Sequence, residues 1–99
     1  MSVYLIAAID IEDRESYAKY EQAAFPTLGP GAAEPLFVDD APTLIEGTLP
    51  GKRLVGLRFA DEAALNRWYH GDGYQTAMKH RLNASKTAFL LVAHGFPES

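Results

Sequence analysis

Two arginines, Arg58 and Arg81, are the side chains of this sequence best suited to holding an anionic group. Arg58 lies in the mainly apolar run at residues 53–59, where strand alternation puts it on the face away from Val55 and Phe59. A guanidinium does not lose its charge in a protein, and a buried one must be paired. Arg58 therefore either binds an anionic ligand or meets a carboxylate of the protein.

Arg81 follows Tyr74 by seven residues in a segment with helical patterning, so both side chains lie on one helical stripe. There Arg81 either stacks on an aromatic ring or holds a carboxylate. Tyr74 and Arg81 are therefore candidate ligand-binding residues. Core packing between helices and sheet is the simplest interpretation of the aromatic side chains, which are Tyr17, Tyr20, Trp68, Tyr69 and Tyr74.

Glu46 and His70 are two further candidates for a ligand site. Glu46 could act as a base or orient a ligand, and the alternative is a carboxylate at the rim of the sheet that pairs with Arg53 or Arg58. The imidazole of His70 could exchange protons near neutral pH. Alternatively, His70 ends a helix and interacts with the unpaired carbonyl groups there.

Several classes of site and partner are disfavoured by composition. The chain has no Cys, and its three histidines are not at metal-ligand spacing, so we predict no metal site. It carries no Gly-rich phosphate loop or nucleophile motif, and we predict no cofactor. A net charge of −4 disfavours nucleic acid, and no segment is apolar for long enough to span a membrane. We expect a soluble, cytoplasmic protein.

The elements that would position these residues follow from apolar patterning and from the Gly and Pro positions. A helix capped by Asp13 is predicted to stop around Pro26 and the Gly29-Pro30-Gly31 cluster. A second strand at residues 33–38 and a short strand at residues 43–46 follow. The remaining predicted elements are strands at residues 3–9, 53–59 and 87–93 and helices at residues 61–70 and 72–84.

This order is β-α-β-β-α-β, which is typical of the ferredoxin-like α+β fold. We predict a single domain over residues 1–99, with its core at about residues 3–95, in which two helical layers cover one face of an antiparallel sheet. Apolar residues of both parities in the first and last strands would leave the other face apolar. Because a soluble monomer rarely exposes such a patch, we predict a homodimer through the sheet face.

Four segments of this chain resemble the DUF1330 family of the dimeric α/β-barrel, ferredoxin-like superfamily. They are YLIAAIDIEDRESYAKY at residues 4–20, Leu44-Ile45-Glu46-Gly47, LVGLRF at residues 54–59, and the run Ala64…Trp68-Tyr69…Tyr74-Gln75…Arg81. The resemblance covers about residues 3–95. It implies a sheet-to-sheet homodimer whose sheets enclose a barrel-like cavity, and it brings no catalytic mechanism with it.

Two classes of function follow from the sequence. One is a dimer that binds or transforms a small acidic or aromatic molecule in a cavity at the sheet face, with Arg58, Glu46 and His70 among the candidate ligand-binding residues. Relatives by fold use such a cavity for cofactor-free chemistry. The other is a non-catalytic binding or interaction module in which the apolar face only makes the dimer. The sequence does not decide between them.

Overall fold

In the computed structural model, the protein is a four-stranded antiparallel sheet with helices on one face. The structure describes residues 1–96 apart from the side chains of residues 30–32. The strand order is β2-β3-β1-β4, which confirms the predicted ferredoxin-like fold. The elements are β1 (Val3–Ile11), α1 (Arg14–Ala32), β2 (Glu34–Asp39), β3 (Arg53–Phe59), α2 (Glu62–Tyr69), α3 (Asp72–Ala84) and β4 (Ser85–Ala93).

Capping carboxylates begin two of the helices, and the one at Asp13 is predicted from the sequence. Asp13 Oδ1 accepts hydrogen bonds from the backbone N–H groups of Glu15 and Ser16 at the start of α1. These hydrogen bonds stabilise the ionised form and lower the pKa of Asp13. Asp61 caps α2 in the same way by accepting from the N–H of Ala64 at 2.7 Å. The two caps fix where the chain leaves the sheet.

Alternation along the central strands separates a helix-covered face from an open one. On β1, Val3, Leu5, Ala7 and Ile9 are buried under the helices. On β3, Leu57 and Phe59 are buried on the same side. These side chains pack against buried residues of the three helices, namely Tyr17, Leu28, Leu65 and Ala84.

The open face of the sheet is apolar along most of its width. In register, Phe37 of β2 pairs with Gly56 of β3, Gly56 pairs with Ile6 of β1, and Ile6 pairs with Leu91 of β4. Phe37 and Leu91 are each 44% exposed. The Phe37 ring lies over Gly56 so closely that a β-carbon there would be 2.5 Å from the ring, so the row depends on a glycine.

One predicted helix boundary and one predicted strand are wrong. Helix α1 continues past Pro26 to Ala32, because Ala24 and Leu28 on either side of the proline are both buried. Packing of that stripe outweighs the hydrogen bond that a proline removes. The predicted strand at residues 43–46 is absent: these residues are exposed within the connection between β2 and β3 and bury no side chain that would stabilise a strand.

No helix within residues 1–96 combines the length and the apolar character that crossing a membrane requires.

Candidate functional site

A cavity lies between the helix-covered face of the sheet and helices α1 and α3. Its volume is about 60 Å³, and it opens to solvent at one side. Its floor is apolar and includes Leu5, Ala7 and Leu57 from β1 and β3. Aromatic and charged side chains complete the wall, namely Tyr17, Tyr20, Trp68, Tyr74, Arg53 and Arg81. An apolar cavity with a few convergent polar groups has the composition of a small-molecule site.

Arg81 is the buried cation of this cavity. The stripe of α3 that faces the core carries Tyr74, Ala77, Arg81 and Ala84, so helical spacing carries the arginine inward with its apolar neighbours. Only 3% of Arg81 is exposed. Its Nη1 donates to the Thr87 hydroxyl on β4, which fixes the direction of the guanidinium.

The charge of Arg81 has no carboxylate partner among the residues that the structure describes. None of the ion pairs within residues 1–96 involves this side chain, and its buried Nε makes no hydrogen bond there. A buried charge without a partner costs several kcal/mol, of the order found when one member of a buried pair is removed. The chain therefore maintains a costly group at the wall of a cavity.

Three tyrosines bring hydroxyl groups to the same cavity. Tyr20 Oη and Tyr74 Oη lie 2.9 Å apart and share a hydrogen bond. Burial, followed by the influence of Tyr74, raises the pKa of Tyr20 far above its ordinary value. Burial also raises the pKa of Tyr17, although the nearby Arg53 opposes the effect. The phenols of Tyr17 and Tyr20 therefore stay protonated at neutral pH and can donate hydrogen bonds but not act as bases.

Trp68 forms an aromatic wall that joins α2 to the sheet and to α3. Its ring centroid lies 4.2 Å from that of Tyr74 and 5.4 Å from that of Phe59. Its Nε1 donates to Thr27 Oγ1 on α1 at 2.8 Å. The indole N–H is thus used within the protein, and the ring contributes apolar surface to the cavity.

Arg53 is a second arginine on the cavity wall. Its Nε and Nη2 donate to the two carboxylate oxygens of Asp40 at 2.6 and 2.8 Å. Its Cζ lies 5.3 Å from the centroid of the Tyr17 ring, which is cation–π contact. The hydrogen bonds lower the pKa of Asp40 and raise that of Arg53. Unlike Arg81, Arg53 has its charge neutralised by a carboxylate of the protein.

The structure brings two of the five sequence-derived candidates, Tyr74 and Arg81, to one cavity and leaves the other three elsewhere. Arg58 lies on the opposite face of the sheet, exposed, where its Nε donates to Glu34 at 2.7 Å. Glu46 is exposed in the connection between β2 and β3, and His70 is exposed at the end of α2. The expected grouping of Arg58 with Glu46 and His70 is therefore not found.

The separation of these three residues has a plain physical cause. Alternation puts Arg58 on the open face, and its register partner on β2 is Glu34, so a carboxylate is already beside it. Glu46 lies in the middle of a connection that packs against little, and it pairs with neither Arg53 nor Arg58. The backbone N–H of His70 bonds the carbonyl of Asn66, while its side chain stays in solvent.

Sequence reasoning missed Arg53, Tyr17 and Tyr20 as residues of the cavity. The signal for Arg53 was present, because it shares its parity on β3 with the buried side of the strand. Their spacing indicates only a core role for Tyr17 and Tyr20, and both do pack in the core while lining the cavity. Within residues 1–96 no group of three or more acidic or histidine side chains is arranged to hold a metal ion.

A family comparison accounts for nearly all of the chain. The model of the family described as "Domain of unknown function (DUF1330)" matches residues 2–95. The chain belongs to the DUF1330 family. This membership confirms the resemblance drawn from the sequence. No curated protein matches the chain.

Solved structures resemble this DUF1330 protein at the level of the fold. A protein of unknown function from Rhodopseudomonas palustris superposes with a TM-score of 0.77 at 14% identity, covering 98% of this chain and 84% of that one. SnoaB, a cofactor-independent oxygenase from Streptomyces nogalater, gives 0.63 at 13% identity, with 98% and 95% covered. A putative antibiotic biosynthesis monooxygenase from Bacteriodes thetaiotaomicron VPI-5482 gives 0.55 at 20% identity, with 98% and 88% covered.

Proposed function

We propose that this DUF1330 protein binds a small aromatic acid in the cavity between the sheet and the helices, with Arg81 as the partner of the acid group. One observation carries the proposal: Arg81 is 3% exposed, lines the cavity and makes no ion pair within residues 1–96. An anionic ligand would supply the charge that the protein does not.

The chemistry of the other wall residues supports the same class of ligand. The rings of Trp68 and Tyr74 and the apolar floor favour an aromatic or aliphatic body over a sugar or a phosphate ester. A planar carboxylate can accept two hydrogen bonds from a guanidinium, and the free Nε–H of Arg81 is one such donor. In the hydrogen bond between Tyr20 and Tyr74, the hydroxyl group that accepts keeps its own proton and can donate it to a ligand oxygen.

This proposal moves the ligand site from the open face of the sheet to its helix-covered face. Arg58, on the open face, already pairs with Glu34, and about half of its side chain is exposed. Its charge is therefore met by a carboxylate and by water, and it gains less from a ligand than a buried, unpaired guanidinium does. The same comparison makes Arg58 the natural control for Arg81.

Benzoate and phenylacetate are expected to raise the melting temperature of the wild-type protein in a concentration-dependent way. A ligand present at about 100 times its dissociation constant stabilises the folded state by about 2.7 kcal/mol if it does not bind the unfolded chain. For a domain of this size that is a shift of roughly ten degrees or more. Differential scanning fluorimetry at constant pH and ionic strength measures it.

Arg81→Met is expected to abolish this shift, whereas Arg58→Met should retain it. Both variants lose one arginine and its charge, so a general electrostatic effect on acid binding would lower both shifts equally. The proposal fails if the two variants respond alike. It also fails if neither acid raises the melting temperature of the wild type more than the neutral control compounds benzyl alcohol and toluene do. A shift lost only in Arg58→Met would return the site to the open face.

We also propose that a second copy of the chain covers the open face of the sheet. The row Phe37, Gly56, Ile6 and Leu91 supports this, because it is a continuous apolar band across all four strands with two side chains 44% exposed. A twofold dimer pairs the same band with itself, so an apolar surface meets an apolar surface without any further complementarity.

Sedimentation equilibrium at micromolar concentration is expected to give twice the chain mass of 10.9 kDa. Leu91→Lys should shift the protein toward the monomer, because two lysines would be desolvated against each other's apolar band. Leu82→Lys, the same substitution at an exposed position of α3, is the matched control and should leave the mass unchanged. A wild-type monomer at that concentration would contradict the proposed dimer.

A further inference from the structure

Both of the buried side-chain nitrogen atoms that lack a hydrogen-bond partner within the described part of the chain belong to arginines of the same cavity. They are Arg81 Nε and Arg53 Nη1. Unpartnered buried donors are rare in folded proteins, since each costs about 1–3 kcal/mol. Because both arginines line one cavity, we look for a single explanation of the two donors.

The two arginines differ in what they lack. Arg81 lacks both a hydrogen-bond partner for Nε and a counter-charge. Arg53 has Asp40 on its other two nitrogen atoms, and Glu21 Oε2 lies 3.3 Å from Nη1 without forming a hydrogen bond. Arg53 therefore has its charge neutralised and lacks only an acceptor. A carboxylate of the ligand there would be repelled by the two carboxylates already present, so a neutral acceptor fits better.

The sheet sets how far apart the two arginines are anchored. Arg53 on β3 pairs with Ile9 on β1, and Ile9 pairs with Thr87 on β4, where Arg81 is anchored. Neighbouring strands are about 4.8 Å apart, so the backbones at Arg53 and Thr87 are about 10 Å apart in one row across the sheet. The charges of both arginines oppose the rise that burial causes in the pKa of Tyr17, and the Tyr17 ring is in cation–π contact with Arg53.

We infer that the ligand carries two different polar groups: an acid group for Arg81 and a neutral acceptor, such as a ketone or an ester carbonyl, for Arg53 Nη1. An aromatic ring separates the two. The inference rests on the proposed function and specifies its ligand class as aromatic acids with a distal carbonyl. Arg53 is then a specificity-determining residue, and Asp40 holds it in place through the paired hydrogen bonds.

The test compares two acids of nearly the same shape, para-acetylbenzoate and para-isopropylbenzoate, by isothermal titration calorimetry. They differ in one atom that can accept a hydrogen bond. The wild type is expected to bind the acetyl compound about tenfold more tightly, which is the contribution of one hydrogen bond from a charged donor. The meta isomers of both acids are measured in parallel, because para and meta substitution point the carbonyl group in different directions relative to the acid group.

Arg53→Lys is expected to bind both acids with equal affinity. Lysine keeps the positive charge beside Asp40, but a single ammonium group cannot pair with Asp40 and reach the cavity as a guanidinium does. Asp40→Asn weakens the hydrogen bonds that hold Arg53 but leaves its Nη1 in place, so this variant should keep a preference for the acetyl acid. Circular dichroism establishes that both variants are folded.

Equal affinities of the wild type for the acetyl and isopropyl acids, in both the para and meta series, would overturn the inference and leave the proposed function standing. A preference unchanged in Arg53→Lys would also overturn it, because the acceptor would then meet another donor. If no acid of either kind binds the wild type, the proposed function fails and the inference fails with it.

Discussion

Replacing Trp68 with alanine is expected to lower the free energy of unfolding by about 3–5 kcal/mol, the range found for removing a large aromatic side chain from a core. The ring contacts Phe59 from the sheet, Tyr74 from α3 and Tyr69 from α2. Its loss would also leave the hydroxyl of Thr27 without the indole donor. Urea unfolding followed by far-ultraviolet circular dichroism measures the change.

Two controls separate the packing of Trp68 from its hydrogen bond. Trp68→Phe retains an aromatic ring but loses Nε1, so it should cost much less than Trp68→Ala, on the order of 1–2 kcal/mol. Arg67→Ala, at the exposed neighbouring position, should change stability by no more than about 0.5 kcal/mol. A Trp68→Ala protein as stable as the wild type would mean that the ring is not part of the core.

Arg81→Met is expected to make the ligand-free protein more stable, by about 1–4 kcal/mol. Arg81 is a buried cation with no counter-charge within residues 1–96, and methionine replaces it with an apolar chain of similar length. Binding sites commonly hold groups that cost stability and are retained for function. The same variant that loses acid binding should therefore unfold at a higher urea concentration.

A loss of stability in Arg81→Met would contradict this account of Arg81. It would mean that the hydrogen bond from Nη1 to Thr87 mainly ties α3 to β4 and that the guanidinium has a structural role. Thr87→Val tests that bond separately and should cost about 1 kcal/mol. Arg58→Met, at an exposed ion pair, should change stability by no more than about 1 kcal/mol in either direction.

Strand parity and helix spacing predict much of the site. Alternation on β3 puts Arg58 on the open face, as predicted, and the stripe of α3 puts Tyr74 and Arg81 on one side of the helix. Both results depend only on local geometry, with a period of two in the strand and 3.6 in the helix. The order of the elements then gives the ferredoxin-like sheet.

The parts that the sequence did not predict depend on contacts between distant segments. Arg53 meets Asp40 because the antiparallel pairing of β2 with β3 sets Asp39 opposite Leu54, which leaves Asp40 beside Arg53. The pairing of Tyr20 with Tyr74 joins residues 54 positions apart in the chain. Likewise, burial of Leu28 carries α1 beyond Pro26, where local propensity favours an end.

A crystal structure of the protein with para-bromobenzoate tests the central claim most directly, because the bromine atom can be located by its anomalous scattering. The account predicts a bromine peak in the cavity beside Trp68 and Tyr17, with the carboxylate about 2.7–2.9 Å from Arg81 Nε. A ligand bound on the open face beside Arg58, or a cavity that stays empty at saturating ligand while the compound binds elsewhere, would contradict it.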